Sequence, residues 1–227
     1  MHNVKYIEGG IREVKFVIMA GGKYKGFRKH LVKINGETLV ERTIRLLREA
    51  GAEDIAISSN QKGFENMGVP VLTHQNGYRQ EIEATYGDWL DAFYPSEEPI
   101  CYLFGDVVFS PEAIKTIVNT EVKDIMFFAS AEPLPVGYPK PWAEPFAYKV
   151  VDTKRFFEAI ELTKVYEKQG RFYRQPVSWE LWQVIKGTPL GKIDYTNYCA
   201  INDYTCDIDC REDMDLFRFL GEVSYEY

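Results

Sequence analysis

Short apolar runs that end in glycine or aspartate alternate along this chain with stretches of helical spacing. Val14 to Ala20 is one such run; it ends at Gly21-Gly22, which predicts a buried strand leading into a loop. Another run, Ile100 to Phe104, ends at Gly105-Asp106. Strands separated by helices favour an α/β fold with a mixed, mostly parallel central sheet and helices on both faces. In such sheets ligands bind at the carboxyl ends of the strands.

Helical spacing is clearest from Glu37 to Ala50, where Gly51 follows as a C-terminal cap. Ser110 and Pro111 are typical of the cap and first position of another helix. The remaining predicted strands cover 54–58, 69–73, 124–130 and 146–151, and the remaining predicted helices cover 82–93, 111–118, 153–166, 178–186 and 211–220. We interpret residues 1–227 as a single domain in which residues 1–12 are an N-terminal extension. The five prolines within 131–145 predict a long functional loop.

The charge of the chain limits its partners. Its 227 residues carry a formal net charge of −7, which argues against nucleic-acid binding because a binder needs excess lysine and arginine. The longest early apolar run is too short for a signal peptide or a membrane span, so we expect a cytoplasmic protein without a membrane partner. The four cysteines form no C-x-x-C pair, which favours buried, reduced thiols over a zinc site. No pattern indicates an oligomeric state.

The segment after the first predicted strand is both glycine-rich and basic. Adjacent glycines let the backbone approach a ligand closely and offer amide groups to phosphate oxygens. Four cations within seven positions could balance the charge of a triphosphate; they are Lys23, Lys25, Arg28 and Lys29. The segment is neither a Walker P-loop nor a G-x-G-x-x-G loop. The alternative interpretation is a solvated basic surface loop.

Three aspartates are candidate magnesium ligands. Asp106 follows a buried strand, and Mg²⁺ typically takes one or two protein carboxylates. Asp207 and Asp209 alternate along an extended segment, so both could face one metal ion. Asp209 also fits a second interpretation, because Glu212 three residues later would complete a capping box for the last helix. The residues leave both interpretations of Asp209 open.

These motifs together resemble the nucleotidyltransferases of the GT-A-like, Rossmann-like fold. The resemblance is carried by Met19-Ala20-Gly21-Gly22, by Lys29-His30-Leu31, by Asn35 to Val40 and by Tyr204 to Asp213. The family includes sugar-phosphate nucleotidyltransferases, phosphocholine cytidylyltransferases and the molybdenum-cofactor guanylyltransferase. This chain departs from the family pattern in its short basic loop, in having Lys25 or Arg28 as candidates for the expected arginine, and in having Arg28 where a proline is expected.

The resemblance implies transfer of a nucleoside monophosphate from an NTP, with CTP favoured, to a phosphorylated small molecule such as a sugar phosphate or phosphocholine. It implies Mg²⁺ as cofactor at Asp106, Asp207 and Asp209, and catalytic roles for Lys29, Lys25 and Arg28. The nucleotide contacts that it suggests are Ala20, Gly21, Gly22, Lys23, Asn60, Gln75, Asn76 and Thr85. The acceptor contacts that it suggests are Tyr138, Trp142, Glu144, Tyr148, Trp179, Glu180 and Trp182, although aromatic residues are more often ordinary core.

Two other functions remain compatible with these patterns. A glycosyltransferase of the same architecture would use Asp207-Ile208-Asp209 as its Asp-x-Asp metal motif. A non-catalytic nucleotide-binding subunit would keep the fold and lose turnover. Pyrophosphate release from an NTP and a phosphorylated acceptor distinguishes the three.

Overall fold

The computed structural model describes residues 14–21, 27–73, 86–134 and 136–224. The strands are β1 (Lys15–Met19), β2 (Lys33–Ile34), β3 (Glu37–Thr38), β4 (Ile55–Ser58), β5 (Val71–Leu72), β6 (Ile100–Phe104), β7 (Val107–Val108), β8 (Ile125–Ser130), β9 (Glu144–Val150), β10 (Cys199–Ala200), β11 (Cys206–Asp207) and β12 (Val223–Ser224). The α-helices are α1 (Leu39–Glu49), α2 (Pro111–Asn119), α3 (Thr153–Lys168) and α4 (Ser178–Lys186), and 3₁₀ helices cover Lys29–Leu31, Tyr86–Ala92 and Glu212–Leu220.

Seven strands form the central sheet in the order β10-β8-β9-β6-β1-β4-β5. β1 pairs in parallel with both β4 and β6, β4 with β5, and β10 with β8. Only β9, among the strands of this sheet that the structure describes, runs antiparallel to its neighbours, β6 and β8. The predicted mixed, mostly parallel sheet is therefore confirmed.

The two faces of the sheet carry different helices because neighbouring residues of a strand point to opposite sides. Phe16 and Ile18 of β1 belong to a buried cluster that includes residues of α1 and α2. Val17 and Met19 belong to a second cluster that includes residues of α3 and α4. Burial of these apolar side chains is the main force that holds the helices on the sheet. The predicted helices on both faces are thus confirmed.

Local signals set the ends of the helices on the first face. α1 begins with a capping box in which the backbone N–H of Glu41 donates to Thr38 Oγ1 at 3.2 Å and that of Thr38 donates to Glu41 Oε2 at 2.8 Å. α1 ends just before Gly51, whose φ of +93° lies in the left-handed region that glycine favours. α2 begins as predicted, with the Ser110 hydroxyl accepting from the N–H of Ala113 at 2.9 Å.

Two predicted α-helices are 3₁₀ helices. For the one predicted at 82–93, the structure describes Tyr86–Ala92 as 3₁₀, while residues 82–85 lie outside the described residues. The last one covers Glu212–Leu220. Its buried residues Met214 and Phe217 stand three apart, a spacing that matches the three residues per turn of a 3₁₀ helix.

Every helix in the part of the chain that the structure describes is too short or too polar to cross a membrane. The four cysteines are free thiols.

Candidate functional site

The ends of β1 and β6 bring two glycine segments together at one edge of the sheet. The first contains Gly21, after β1, and the second contains Gly105, after β6. The backbone N–H of Gly105 donates to the carbonyl of Met19 at 3.0 Å. A Cβ atom on Gly105 would lie 2.5 Å from that carbonyl oxygen and 3.1 Å from His30 Cδ2. Only glycine allows the two backbones to come this close. The close contact places the next residue, Asp106, beside the loop that follows β1.

Lys29 lies at the centre of this edge, at the start of a 3₁₀ helix. Its Nζ atom is 2.6 Å from Asp106 Oδ2 and 3.4 Å from Asp209 Oδ1. Burial opposes its charge, but the charges of Asp106 and Asp209 outweigh burial and raise the pKa of Lys29 above its ordinary value. Lys29 in turn holds the pKa of Asp106 below its usual range against the effect of burial. Both groups are therefore charged at neutral pH.

The C-terminal aspartates reach this edge through a short antiparallel pair. β11 pairs with β7 so that Asp207 lies opposite Val107. The backbone N–H of Ile208 donates to the carbonyl of Asp106 at 2.8 Å. This pairing brings together candidate metal ligands from distant parts of the sequence. The structure thus brings Asp106, Asp207 and Asp209 to the same edge of the sheet.

The sequence reasoning missed Lys140, which lies among the carboxylates. Its side chain is only 3% exposed, and its Nζ forms ion pairs with Asp207, with Asp209 at 2.7 Å, with Asp213 at 3.4 Å and with Glu144 at 3.5 Å. Burial opposes the charge of Lys140, but Asp207 and Glu144 outweigh it and raise its pKa. The only available indication was its position in the proline-rich loop 131–145.

One ammonium group cannot balance all of these carboxylates. Burial and the charge of Asp207 raise the pKa of Glu144 to about 9. Burial together with Asp209 and Asp106 raises the pKa of Asp207 to about 7. These two carboxyl groups therefore take up protons more readily than isolated ones, and a cation bound among them would compete with those protons.

Of the two interpretations of Asp209, the capping box with Glu212 is not what the structure contains. The last 3₁₀ helix begins at Glu212 without a side-chain hydrogen bond at its N-cap residue Arg211. Instead Asp213 Oδ2 accepts from the backbone N–H groups of Asp209 at 2.7 Å and Cys210 at 3.3 Å. Asp213 thus holds the turn, and the Asp209 carboxylate is left to face the two lysines.

The other predicted phosphate and nucleotide contacts are only partly described. Asn60 lies beside the glycine segment, since a Cβ on Gly21 would be 3.9 Å from Asn60 Oδ1. The Arg28 guanidinium instead donates to the carbonyl of Lys62 and lies over the ring of Phe64. Ala20 is fully buried, with its N–H donating to the Ser58 carbonyl at 2.9 Å. The predicted contacts Gly22, Lys23, Lys25, Gln75, Asn76 and Thr85 lie outside the described residues.

Three of the seven predicted acceptor residues border the carboxylate cluster. The Tyr138 hydroxyl donates to the Thr205 carbonyl at 3.1 Å and ties the proline-rich loop to the segment before β11. The Trp142 indole N–H donates to Glu144 Oε1. The Trp142 side chain is 53% exposed, so its ring is available to a ligand at this edge.

The other four predicted acceptor residues, Tyr148, Trp179, Glu180 and Trp182, lie in the core. Each is at most 5% exposed. The Tyr148 hydroxyl donates to the Ser178 carbonyl, and Glu180 accepts from the N–H of Val177 at 2.9 Å and from Arg174 at 2.6 Å. Contact with an acceptor would require the core to open, so the alternative interpretation, that they are ordinary core residues, applies to these four.

Comparisons with known proteins agree with this fold. Solved structures with the same fold include 2-C-methyl-D-erythritol 4-phosphate cytidylyltransferase from Thermus thermophilus, which is 14% identical over 92% of this chain and 98% of that one, with a TM-score of 0.54. Rv0371c from Mycobacterium tuberculosis is 16% identical over 93% of this chain and 98% of that one, with a TM-score of 0.53. At these identities the likeness shows the fold alone.

No curated protein matches the chain by sequence. The family model of the MobA-like NTP transferase domain matches residues 16–170. The matched region contains both glycine segments, Lys29, Asp106 and Lys140. The chain therefore belongs to the family of MobA-like NTP transferase domains.

Proposed function

We propose that this chain is a Mg²⁺-dependent nucleotidyltransferase that transfers a nucleoside monophosphate from an NTP to a phosphorylated small molecule and releases pyrophosphate. The observation that carries the proposal is the position of Lys29 between Asp106 and Asp209, 2.6 and 3.4 Å from their carboxylate oxygens. This arrangement lies at the carboxyl ends of β1 and β6, where sheets of this kind bind nucleotides.

The donor set at this position fits a magnesium ion. Asp106 Oδ2 and Asp209 Oδ1 already converge on one cationic group, the Lys29 ammonium. Carboxylate oxygens are the ligands that Mg²⁺ prefers, and it commonly takes one or two of them together with substrate phosphates. When bound by these two carboxylates, the ion would neutralise charge on the phosphates of the nucleotide. Asp207 is the third candidate ligand, but its carboxylate is paired with Lys140.

The protein would contribute position and charge to the transfer. A phosphate oxygen of the acceptor forms the new bond to the α-phosphorus of the NTP while the bond to the bridging oxygen breaks and pyrophosphate leaves. Lys29 would neutralise charge that develops on the α-phosphoryl group. No general base is needed, because an acceptor phosphate is already ionised at pH 7. Gly21 and the basic loop after it would receive the remaining phosphates, and Asn60 beside Gly21 is a candidate contact to the base.

The exposed edge of the carboxylate cluster is the candidate acceptor region. The half-exposed Trp142 ring lies beside Glu144 there. An aromatic face next to a carboxylate can bind either a sugar or a cationic group. We therefore favour an acceptor of these classes, and keep CTP as the favoured donor on the resemblance alone.

Pyrophosphate release tests the proposal directly. The full chain would be incubated with each of four NTPs and with sugar 1-phosphates or phosphocholine, in Mg²⁺ and in excess EDTA. We expect release that needs one NTP, an acceptor and the metal. A glycosyltransferase would instead consume a nucleotide sugar, and a non-catalytic subunit would bind nucleotide without releasing pyrophosphate. Release that persists in EDTA would contradict the role of the metal.

A further inference from the structure

Lys140 occupies the most enclosed part of the acidic cluster, and the proposed transfer does not use it. Its side chain is 3% exposed, and its Nζ contacts carboxylates of four residues, namely Glu144, Asp207, Asp209 and Asp213. These residues come from the start of β9, from β11, from the turn after it and from the last 3₁₀ helix. A buried lysine surrounded by more carboxylates than it can neutralise holds a position that a metal ion could also hold.

The side chains around Lys140 have the spacing of a metal site. Ligand atoms of Glu144, Cys206 and Asp207 all lie within 4.8 Å of one another. Their mutual distances fit donors arranged around one ion rather than carboxylates spread over a surface. The Lys140 ammonium lies among them, since it contacts both Glu144 and Asp207.

Asp209 connects this enclosed position to the proposed magnesium position. Its Oδ1 faces Lys29 at 3.4 Å and its Oδ2 faces Lys140 at 2.7 Å. The Asp209 side chain is 54% exposed, whereas that of Asp207 is 16% exposed. A divalent ion that enters from solvent therefore has access to Asp209 and its neighbour Asp106. The Asp207 carboxylate is instead held in an ion pair with Lys140.

We propose that the Lys140 ammonium is a built-in cation that fills a second carboxylate site, so that the chain binds one divalent ion rather than two. Lys140 would then be a positioning residue, which holds Asp207 and Asp209 in place where a second ion would otherwise hold them. The inference rests on the proposed function only in assigning the first ion to Asp106 and Asp209. The occupancy of the second site by Lys140 does not depend on nucleotidyl transfer.

The number of bound Mn²⁺ ions tests this inference. Free and bound Mn²⁺ would be counted by electron paramagnetic resonance on the full chain, without nucleotide, for the wild type and for Lys140→Met. We expect Lys140→Met to bind one more ion per chain than the wild type, because the emptied carboxylate site becomes a cation site. Lys186→Met is the matched control, since the Lys186 side chain is only 8% exposed and pairs with Asp194 at 2.9 Å outside the cluster. It should bind as many ions as the wild type.

Removing Lys140 leaves its carboxylates unpaired, so Lys140→Met should have a lower Tm than the wild type in EDTA. Mn²⁺ should raise the Tm of this variant by several degrees more than that of the wild type, since the ion binds only the folded state. If Lys140→Met is unfolded without metal, Mn²⁺ should refold it, as followed by circular dichroism. The double variant Lys140→Met/Glu144→Gln also removes one carboxylate ligand of the emptied site, so it should gain no ion.

Three results would overturn the inference. The first is a Lys140→Met chain that binds no extra Mn²⁺ and gains no Mn²⁺-dependent stability. The second is an unfolded Lys140→Met chain that Mn²⁺ does not refold. The third is a wild-type chain that already binds two ions. Pyrophosphate release plays no part in these measurements. If the wild type releases no pyrophosphate but Lys140→Met binds an extra ion, this inference stands and the proposed function is wrong. If the wild type releases pyrophosphate but Lys140→Met binds no extra ion, the proposed function stands and this inference is wrong.

Discussion

The carboxylate cluster at the strand ends and the aromatic cluster beneath α3 and α4 are built from equally conspicuous residues. In the first, charged side chains such as Lys29 and Asp209 face one another with part of their surface exposed. In the second, Trp179 packs edge-on against Phe127 at 4.9 Å and against Tyr195 at 4.7 Å, and it is 1% exposed. Tryptophan removes more apolar area from water by being buried than by lining a site. Charged groups gain nothing comparable from burial, so a convergence of them indicates function more strongly than a convergence of aromatic residues.

The largest effect that we expect is on stability, in the aromatic cluster. Trp179→Ala should lower the free energy of unfolding by about 3–5 kcal/mol, because it leaves a cavity against Phe127. Trp179→Phe should cost much less, since it keeps the ring contact and removes an indole N–H that has no hydrogen-bond partner among the described residues. Urea denaturation measures both changes.

Acceptor binding checks the other side of this comparison. If the aromatic cluster is only core, Trp179→Phe should leave the KM for the acceptor unchanged. A raised acceptor KM in a stably folded Trp179→Phe variant would place the aromatic cluster in the binding site after all.

In the carboxylate cluster the largest effect should be on turnover. Lys29→Ala should lower kcat by about two to three orders of magnitude, the usual loss for one preorganised charge contact. Lys29→Arg keeps the charge and should retain part of the activity. Steady-state pyrophosphate release measures kcat, and circular dichroism confirms that the variants are folded. Near-normal turnover of Lys29→Ala would remove Lys29 from the mechanism.

The sequence predicted one cluster better than the other for physical reasons. Lys29, Asp106 and Asp209 follow or flank recognisable strands and motifs, and the ends of parallel strands must meet at one edge of the sheet. Lys140 lies in a proline-rich loop without periodicity, and its partners Asp207 and Asp209 are 67 and 69 residues away. No local pattern encodes such a pairing. For Trp179 and Trp182, residue type alone could not distinguish core packing from a ligand cage, because both need large apolar surfaces.

The two C-terminal aspartates should differ in how they respond to metal. Asp209→Asn should weaken apparent Mg²⁺ affinity about tenfold, which corresponds to about 1.4 kcal/mol, because Asp209 shares the proposed ion with Asp106. Asp207→Asn should change Mg²⁺ affinity less and lower the Tm instead, since it removes a partner of the buried Lys140. Magnesium titration of activity and thermal unfolding of both variants measure the difference. If both variants lose Mg²⁺ affinity to the same extent, Asp207 and Asp209 bind the same ion. Lys140 would then not keep Asp207 away from that ion.

The smallest effect on stability should come from Trp142, the one tryptophan that borders the carboxylate cluster with its ring half exposed. Trp142→Ala removes a side chain that is 53% exposed and one hydrogen bond to Glu144, so it should change the free energy of unfolding by no more than about 0.5 kcal/mol. Its expected consequence is a higher KM for the acceptor with little change in the KM for the NTP, because the ring lies beside Glu144 in the region that we propose for the acceptor. Trp142→Phe keeps an aromatic face without the N–H and separates ring contact from hydrogen bonding. If Trp142→Ala raises the KM for the NTP and leaves that for the acceptor unchanged, the acceptor does not bind at this edge, and Trp142 would instead belong to the nucleotide site.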